Sequence, residues 1–299
     1  MGLGSKGLLV ALVALALSGC LADDEGGSQA EAPAGAGAGS ALVSMEAFST
    51  ALEPIDCPDL AIAVQMPRGD LQALLPSGFE AGDAHDFFLG LSPFAAAQQH
   101  AGAGPLGALI LFIQQCQGET SFEEGYTVIF VKPPTNDFDL PATGLNFVAL
   151  QHAVGSDWLA DADARSGWGL DLTGNATVEQ TLGTTGRSAL VTWSNATGEL
   201  ASISATGLPA HPPLTYEATV RIWQPVDQGT VVYDHSAAGN MYPAAQFVCS
   251  FSEDSQMAQV AGQTDCSPGL DRSFSAFILE GHDPRIEVHA FPVEPTDAS

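Results

Sequence analysis

Lysine and histidine are the residues of this chain that could carry catalysis, and their spacing matches no common catalytic motif. Lys132 is the weak candidate for a Schiff-base nucleophile, but it comes just before Pro133-Pro134 with no second lysine beside it, which indicates a solvated residue at a strand end. No nucleophile elbow, zinc-protease helix, phosphate loop or dinucleotide fingerprint is present. The histidines form no i, i+2 or i, i+4 pair, which is typical of surface or polar-core positions: His85, His100, His152, His211, His235, His282 and His289. We therefore expect no metal site and no cofactor.

An acidic cluster follows in the middle of the chain. Asp157, Asp161 and Asp163 begin like a calcium-binding loop, but Arg165 occupies the third ligand position and Leu172 stands where a bidentate glutamate would belong. We interpret the cluster as a solvated loop.

Two tripeptides match the acceptor pattern for N-glycosylation. They are the Asn-Ala-Thr sequences that begin at Asn175 and Asn195. Their use would depend on the host and on exposure, so both remain possible modification sites.

Four cysteines lie in the body of the chain: Cys57, Cys116, Cys249 and Cys266. An even number in an exported protein predicts two disulfides. Three pairings are possible, and we favour Cys57 with Cys116 and Cys249 with Cys266, since each pair is nearest in sequence. A zinc site is the alternative, but no cysteine lies in a C-x2-C pair or near a histidine at ligand spacing.

The fifth cysteine, Cys20, ends an export signal. Lys6 supplies the positive charge, residues 8–17 are ten apolar residues, and Ser18 and Gly19 precede the cysteine. Ten residues are too few for a membrane-spanning helix, which needs about 20. The pattern resembles the lipobox of bacterial lipoproteins, which implies cleavage before Cys20 and a lipid on its thiol. A plain signal peptide and a buried N-terminal helix are the alternatives.

This signal divides the chain into three parts. We expect residues 1–19 to be a lipoprotein signal peptide, residues 20–44 a flexible acidic and Gly/Ala-rich linker, and residues 45–299 a single β-rich domain. The predicted location is extracytoplasmic, with the protein attached to a membrane by its lipid.

The charge balance narrows the range of partners. Eight Lys and Arg residues stand against 35 Asp and Glu, giving a formal net charge of −27. Nucleic-acid binding depends on clustered Lys and Arg, so we exclude nucleic acid as a partner. The oligomeric state stays open.

Period-2 patterns dominate the body, and they predict a mostly β fold with few short helices. Residues 126–132 are apolar on both faces and are predicted to be a central strand. Short helices are predicted at residues 45–52, 70–75, 94–100 and 256–261. We expect a large antiparallel sheet system closing into a barrel or a double-barrel-like body. Further strands are predicted at residues 60–66, 87–91, 108–115, 145–151, 177–182, 189–194, 200–206, 214–223, 230–233, 246–251, 274–279 and 285–290.

Aromatic residues could line a ligand cavity inside such a body, or they could be plain core. The candidates are Phe87, Phe88, Phe94, Trp158, Trp168, Trp193 and Trp223.

One segment carries a family resemblance. Residues 71–83, with the sequence Leu-Gln-Ala-Leu-Leu-Pro-Ser-Gly-Phe-Glu-Ala-Gly-Asp, and the stretch 86–94 that follows resemble the opening of acetoacetate-decarboxylase-like proteins. The resemblance implies a double β-barrel-like fold and, in the decarboxylases, a Schiff-base lysine. This chain lacks the paired lysines of those enzymes, so the resemblance implies the cavity without that chemistry.

Three functions are compatible with the sequence. Our main prediction is a lipid-anchored surface protein that binds a small or apolar ligand without catalysis. The first alternative is an enzyme, acetoacetate-decarboxylase-like or other, in which His or acidic groups converge with Lys132 or a serine in an enclosed cleft. The second is a structural or adhesive module, which would have no enclosed pocket.

Overall fold

Strands make up most of the chain that the computed structural model describes, namely residues 49–52, 56–91, 105–117, 122–134, 144–166, 170–183, 186–207, 214–226, 229–268 and 272–292. The predicted boundaries near residues 20 and 45 lie outside these residues. Four helices lie in the described residues: α1 (Arg68–Gln72), α2 (Ala84–Leu91), α3 (Asp157–Ser166) and α4 (Gln256–Ala261). The strands of the described residues are β1 (Ser49–Leu52), β2 (Asp56–Pro67), β3 (Leu106–Cys116), β4 (Phe122–Val131), β5 (Leu145–Gly155), β6 (Asn175–Gly183), β7 (Gly186–Asn195), β8 (Gly198–Gly207), β9 (Leu214–Val226), β10 (Gly229–Phe251) and β11 (Ser273–Pro292).

Hydrogen-bonded strand pairs close a ring. The order is β11, β2, β3, β4, β5, β9, β10 and back to β11. All these pairs are antiparallel except β5 with β9, which is parallel. The pairing of β5 with β9 covers four residues of each strand, from Leu145 to Val148 and from Val220 to Trp223. The prediction of a mostly β body that closes on itself is confirmed, with one parallel pair that the sequence did not indicate.

Side chains alternate between the inside and the outside of this ring. On β2, Ala61 and Ala63 belong to the interior core, while Leu60 and Ile62 belong to a second core on the outer face. The prediction that residues 126–132 form a central strand is confirmed, because β4 is buried on both faces.

A second sheet covers part of the outer face. The last third of β10 leaves the ring at Ala244 and pairs with β8, which pairs with β7 and β6. Trp193 of β7 is fully buried and packs where Gly125 of β4 has no side chain. The long strand β10 therefore joins the two sheets, and the outer core lies between them.

The structure corrects three local predictions. Residues 87–91, predicted as a strand, belong to helix α2, whose apolar residues recur at helical spacing from Ala84 to Leu91; a short apolar run does not distinguish the two. Residues 49–52, predicted as helical, form β1 against β11, since tertiary pairing overrides local propensity. The acidic residues predicted as a loop lie in helix α3, where Asp157 occupies the favourable first turn.

Of the other predicted helices, two are present in the structure and one falls on residues that the structure does not describe. Helix α4 matches residues 256–261, with Ser255 as N-cap acceptor for the Ala258 amide and Gly262 at φ 66° ending it. The predicted short helix at 70–75 corresponds to α1, which begins and ends slightly earlier. Residues 94–100 lie outside the described residues.

The cysteines pair as favoured. Cys57 bonds to Cys116 and Cys249 bonds to Cys266. The first bond joins the start of β2 to the end of β3, and the second joins β10 to the segment that follows α4. In the described part of the chain, no helix is long and apolar enough to cross a membrane.

The contact between Gly125 and Trp193 yields a stability prediction. A Cβ added at Gly125 would lie 2.4 Å from the indole ring, so Gly125→Ala must push the second sheet away from β4. We expect a loss of about 1–3 kcal/mol in the free energy of unfolding, as for other overpacked cores. Denaturant titration followed by circular dichroism measures it.

Gly69→Ala is the matched control, because a Cβ at this exposed helical position meets nothing within 4 Å. We expect its midpoint to be unchanged or slightly higher, since alanine favours helix. Equal midpoints for Gly125→Ala and the wild type would contradict the described packing of Trp193.

Candidate functional site

A cavity lies inside the ring, and all seven ring strands contribute to its wall. The space measures about 970 Å³, including the part open to solvent. Aliphatic and aromatic side chains dominate the wall, which favours an organic ligand with a substantial apolar part. The polar side chains of the wall are few: Asp59, Gln114, Tyr126, Tyr216, His235, Ser236 and Arg285.

A buried carboxylate, that of Glu124, lies behind this wall. Glu124 has an exposure of 0%. Its carboxylate accepts hydrogen bonds from the Gln114 amide and from His152 Nε2 at 3.2 Å. A buried carboxylate without such donors would be strongly unfavourable, so this set of donors makes the position tenable.

Strand register brings these donors together. Gln114 of β3 lies directly opposite Glu124 of β4, and His152 of β5 lies directly opposite Tyr126. Glu124 and Tyr126 are two residues apart on one strand, so both point into the ring. Antiparallel pairing therefore assembles the cluster without any local sequence motif.

His235 connects this cluster to the cavity. It comes from β10, lines the cavity, and has 14% of its side chain exposed. Its Nε2 lies 3.1 Å from the Tyr126 hydroxyl oxygen and 3.8 Å from Glu124 Oε1. Because the Tyr126 hydroxyl and Glu124 Oε1 both lie on the Nε2 side of the ring, we infer that Nε2 of the neutral ring carries the proton and that Nδ1 is the basic nitrogen.

His152 is held from both sides. Its Nδ1 lies 2.9 Å from Gln224 Oε1, and its Nε2 contacts Glu124. The ring also packs edge-on against Tyr233, with centroids 4.8 Å apart. His152 is therefore an orienting partner of Glu124, and it does not line the cavity.

Burial decides the protonation of the groups that face the cavity. Desolvation lowers the pKa of His235 below its ordinary value, and the nearby Glu124 charge opposes this only in part. Desolvation also raises the pKa of Tyr126 and of Tyr216, and carboxylates nearby raise both further. Near neutral pH the cavity thus presents a neutral imidazole, which is a base, and a neutral phenol at Tyr216, which is a hydrogen-bond donor.

The predicted pocket aromatics divide between the two cores. Phe87 lines the cavity, and Phe88 packs beside it against Phe277. Trp158 packs on Phe122 and does not line the cavity.

Trp193 and Trp223 were candidates for the cavity, and the structure corrects this placement. Both belong to the outer core: Trp193 packs on the outer face of the ring from β7 of the second sheet, and Trp223 lies on the outward-facing side of β9. Phe94 and Trp168 lie outside the described residues.

Lys132 does not contribute to the cavity. It follows the end of β4, has 52% of its side chain exposed and forms an ion pair with Glu80. This placement agrees with the interpretation as a solvated residue at a strand end.

The histidine prediction needs a correction. His152 and His235 are not isolated, because both contact Glu124 although 83 residues separate them in sequence. Sequence spacing does not show such a pair. One signal was present: Glu124 alternates with Tyr126 and Val128 along β4, so it shares the face that these two buried residues turn into the ring.

The remaining polar motifs lie elsewhere. Asn175 is exposed at the start of β6, and Asn195 accepts hydrogen bonds from Thr197 at the turn between β7 and β8. Glycosylation of either stays a prediction. Across the ranges that the structure describes, no group of three or more His, Cys, Asp or Glu side chains is arranged to hold a metal ion.

Comparisons with known proteins give similar folds only. No family model matches the chain, and no curated protein matches it. Similar solved structures include an acetoacetate decarboxylase-like enzyme from Sphingomonas wittichii RW1, at 13% identity and TM-score 0.46, covering 85% of this chain and 94% of that one. Others are the acetoacetate decarboxylase of Legionella pneumophila (10%, TM-score 0.46, 82% and 88% covered) and the enduracididine biosynthesis enzyme MppR (10%, TM-score 0.42, 84% and 89% covered).

The main functional prediction from sequence, a ligand-binding protein without catalysis, is wrong. The enzyme alternative fits better, because His235 contacts the buried Glu124 and, together with Ser236, lines the cavity. Only the expected lysine is missing from it. An enclosed cavity also disagrees with the alternative of a structural or adhesive module.

The lowered pKa of His235 yields a titration prediction. The folded protein should take up this proton below pH 6.5, the ordinary value for histidine. The unfolded chain binds the proton first as the pH falls, so the stability of the wild type should decrease as the pH drops through 6.5 toward the folded-state pKa. Proton NMR of the imidazole signals and urea midpoints measure the two effects.

His235→Gln identifies the signal by removing it, and it should reduce the loss of stability over the same pH range. His85→Gln is the control, because His85 is exposed on α2 and away from the cavity wall. A His235 signal that titrates at or above pH 6.5 would refute the described burial.

Proposed function

We propose that this chain is an enzyme that moves a proton at a carbon atom next to a carbonyl group, in a small and largely apolar substrate. The observation that carries the proposal is the contact of a cavity-lining neutral histidine, His235, with a fully buried carboxylate, Glu124. A neutral imidazole backed by a carboxylate is the arrangement that general-base catalysis uses near neutral pH.

In the first step of the reaction, His235 accepts a proton from the substrate. Its Nδ1 takes a proton from the substrate carbon, and the electron pair of the C–H bond moves into the carbonyl to form an enolate. His235 then returns the proton to carbon. A group with a pKa near or below the working pH suits this role, because it is unprotonated when the substrate binds.

Glu124 stabilises the charge that forms during this step. When His235 accepts the proton it becomes an imidazolium, and Glu124 Oε1 lies 3.8 Å from its Nε2. Tyr126 lies between them and holds the ring by its hydroxyl contact at 3.1 Å. The attraction is strong because the cluster is buried, and it exists only after proton transfer, so it favours the reaction over simple binding.

The developing enolate oxygen needs a donor. Tyr216 lines the cavity, and burial keeps its hydroxyl protonated, which makes it a donor for a negatively charged oxygen. Loss of carbon dioxide from a 3-oxo acid passes through the same type of enolate, so such acids belong to the substrate class considered.

Schiff-base chemistry does not fit the cavity. The chain contains two lysines, Lys6 and Lys132, and Lys132 is exposed and paired with Glu80. The proposal therefore relies on acid–base groups alone.

We further propose that the enzyme is exported and attached to a membrane by a lipid on Cys20. The support is the sequence that precedes Cys20 and the pairing of the four other cysteines, since disulfides persist in oxidising compartments outside the cytosol. The attachment point would precede the body by the Gly/Ala-rich linker.

The catalytic proposal is tested by hydrogen–deuterium exchange at carbon. Small ketones, 2-oxo acids and 3-oxo acids are incubated with the protein in deuterated buffer, and proton NMR follows the signal next to the carbonyl and any release of carbon dioxide. We expect exchange by the wild type with at least one compound. His235→Gln should lower its rate by about 10²–10⁴-fold, the usual contribution of a general base.

Lys132→Ala is the control and should exchange at the wild-type rate. Borohydride added during turnover should leave Lys132 unmodified in peptide mass spectra. Full activity of His235→Gln, or reductive labelling of Lys132, would refute the acid–base proposal.

The attachment proposal is tested on Cys20. Intact-mass analysis of membrane-extracted protein should show a chain that begins at Cys20 and carries acyl groups. Cys20→Ser should abolish the acyl mass and release the protein from the membrane fraction. An unprocessed N-terminus on the wild-type protein would contradict it.

A further inference from the structure

Tyr233 stands out among the buried polar residues of the ring. Its side chain is fully buried, and its hydroxyl has no hydrogen-bond partner among the residues that the structure describes. Buried hydroxyls are nearly always hydrogen-bonded in native proteins, to protein groups or to ordered water. An ordered water would meet this requirement at Tyr233.

The ring of Tyr233 packs beside the proposed catalytic groups. Tyr233 is two residues from His235 on β10, so both side chains point into the ring. Its ring packs edge-on against His152, which bonds directly to Glu124. Tyr233 does not line the substrate cavity, so a substrate there does not satisfy it.

A second carboxylate, Asp163, reaches the same region from helix α3. Asp163 follows Leu159 by four residues and so lies on the same face of the helix, and Leu159 is fully buried in the ring core. Asp163 itself is half-buried and accepts a hydrogen bond from the Leu170 amide. The charges of Glu124 and Asp163 both add to the effect of burial in raising the pKa of Tyr233.

We propose that Tyr233 and Asp163 form a path, completed by water, that carries protons between the Glu124 cluster and solvent at helix α3. Protons then reach the cluster without passing through the substrate cavity. This inference rests on the proposed function, because a reaction that moves protons needs such a route while substrate fills the cavity.

The path works by relayed transfer. The proton on the Tyr233 hydroxyl passes to water beside Asp163 as a proton from the Glu124 cluster replaces it, and the reverse sequence returns a proton. No bond other than O–H and N–H bonds changes, and the proton count is conserved. Tyr233 and Asp163 touch no substrate, so both are positioning residues of the relay.

The test uses Tyr233→Phe, which keeps the ring against His152 and removes the hydroxyl, and Asp163→Asn. Asp161→Asn is the matched control, since Asp161 is an exposed carboxylate on the same helix. Carbon exchange on the active ketone or oxo acid is measured against buffer concentration. Tyr233→Phe and Asp163→Asn should lower kcat at least about tenfold, less than the loss of a direct base, with KM unchanged. Added formate or imidazole should restore the rate, and Asp161→Asn should match the wild type.

A high-resolution crystal structure of the wild-type protein provides the second test of the proton path. We expect an ordered water within hydrogen-bond distance of the Tyr233 hydroxyl. Its absence would overturn the path, as would wild-type rates in Tyr233→Phe and Asp163→Asn, or lowered rates that no buffer restores. If the wild type exchanges no compound, the proposed function fails and the relay fails with it; if it does exchange while both variants are unaffected, only the relay fails.

Discussion

The burial of one carboxylate organises the interior of this protein. Glu124 is fully removed from solvent, and such a charge persists only with several donors directed at it. Gln114 and His152 supply donors from β3 and β5. A shift of one residue in either pairing would turn every side chain of a strand to the opposite face. Glu124 can therefore be buried only in this strand register, which places its hydrogen-bond donors beside it.

The ring encloses the cavity, and the second sheet covers part of the outer face of the ring. Inward-facing side chains leave an apolar cavity, and outward-facing ones build a second core that sheet β6–β7–β8 covers. Trp193 joins these layers because Gly125 has no side chain in its way. The cavity can stay open because the outer core, which is closely packed, stabilises the strands that line it.

The same burial makes the cluster chemically active. In an apolar wall, desolvation lowers the pKa of His235 and raises the pKa of the tyrosines, so the imidazole is neutral and the phenols are protonated near neutral pH. A base and a donor thus line one cavity, with the Glu124 carboxylate behind the base. Electrostatic interactions in such a space are much stronger than at the surface, where Lys132 and Glu80 form a solvated pair.

The sequence by itself determined the mostly β fold, the central strand at residues 126–132, helix α4 and the two disulfides, because periodicity, capping residues and cysteine parity are local or compositional signals. It misjudged residues 87–91 and 49–52, where short segments take the structure that their neighbours impose. Only the tertiary structure decided the site. Glu124, His152 and His235 are distant in sequence and follow no motif, and the ring of strands brings them together through register alone. Whether a histidine is solvated or catalytic depends on its burial and its partners, which the closure of the ring of strands creates. The neighbouring residues in the sequence determine neither.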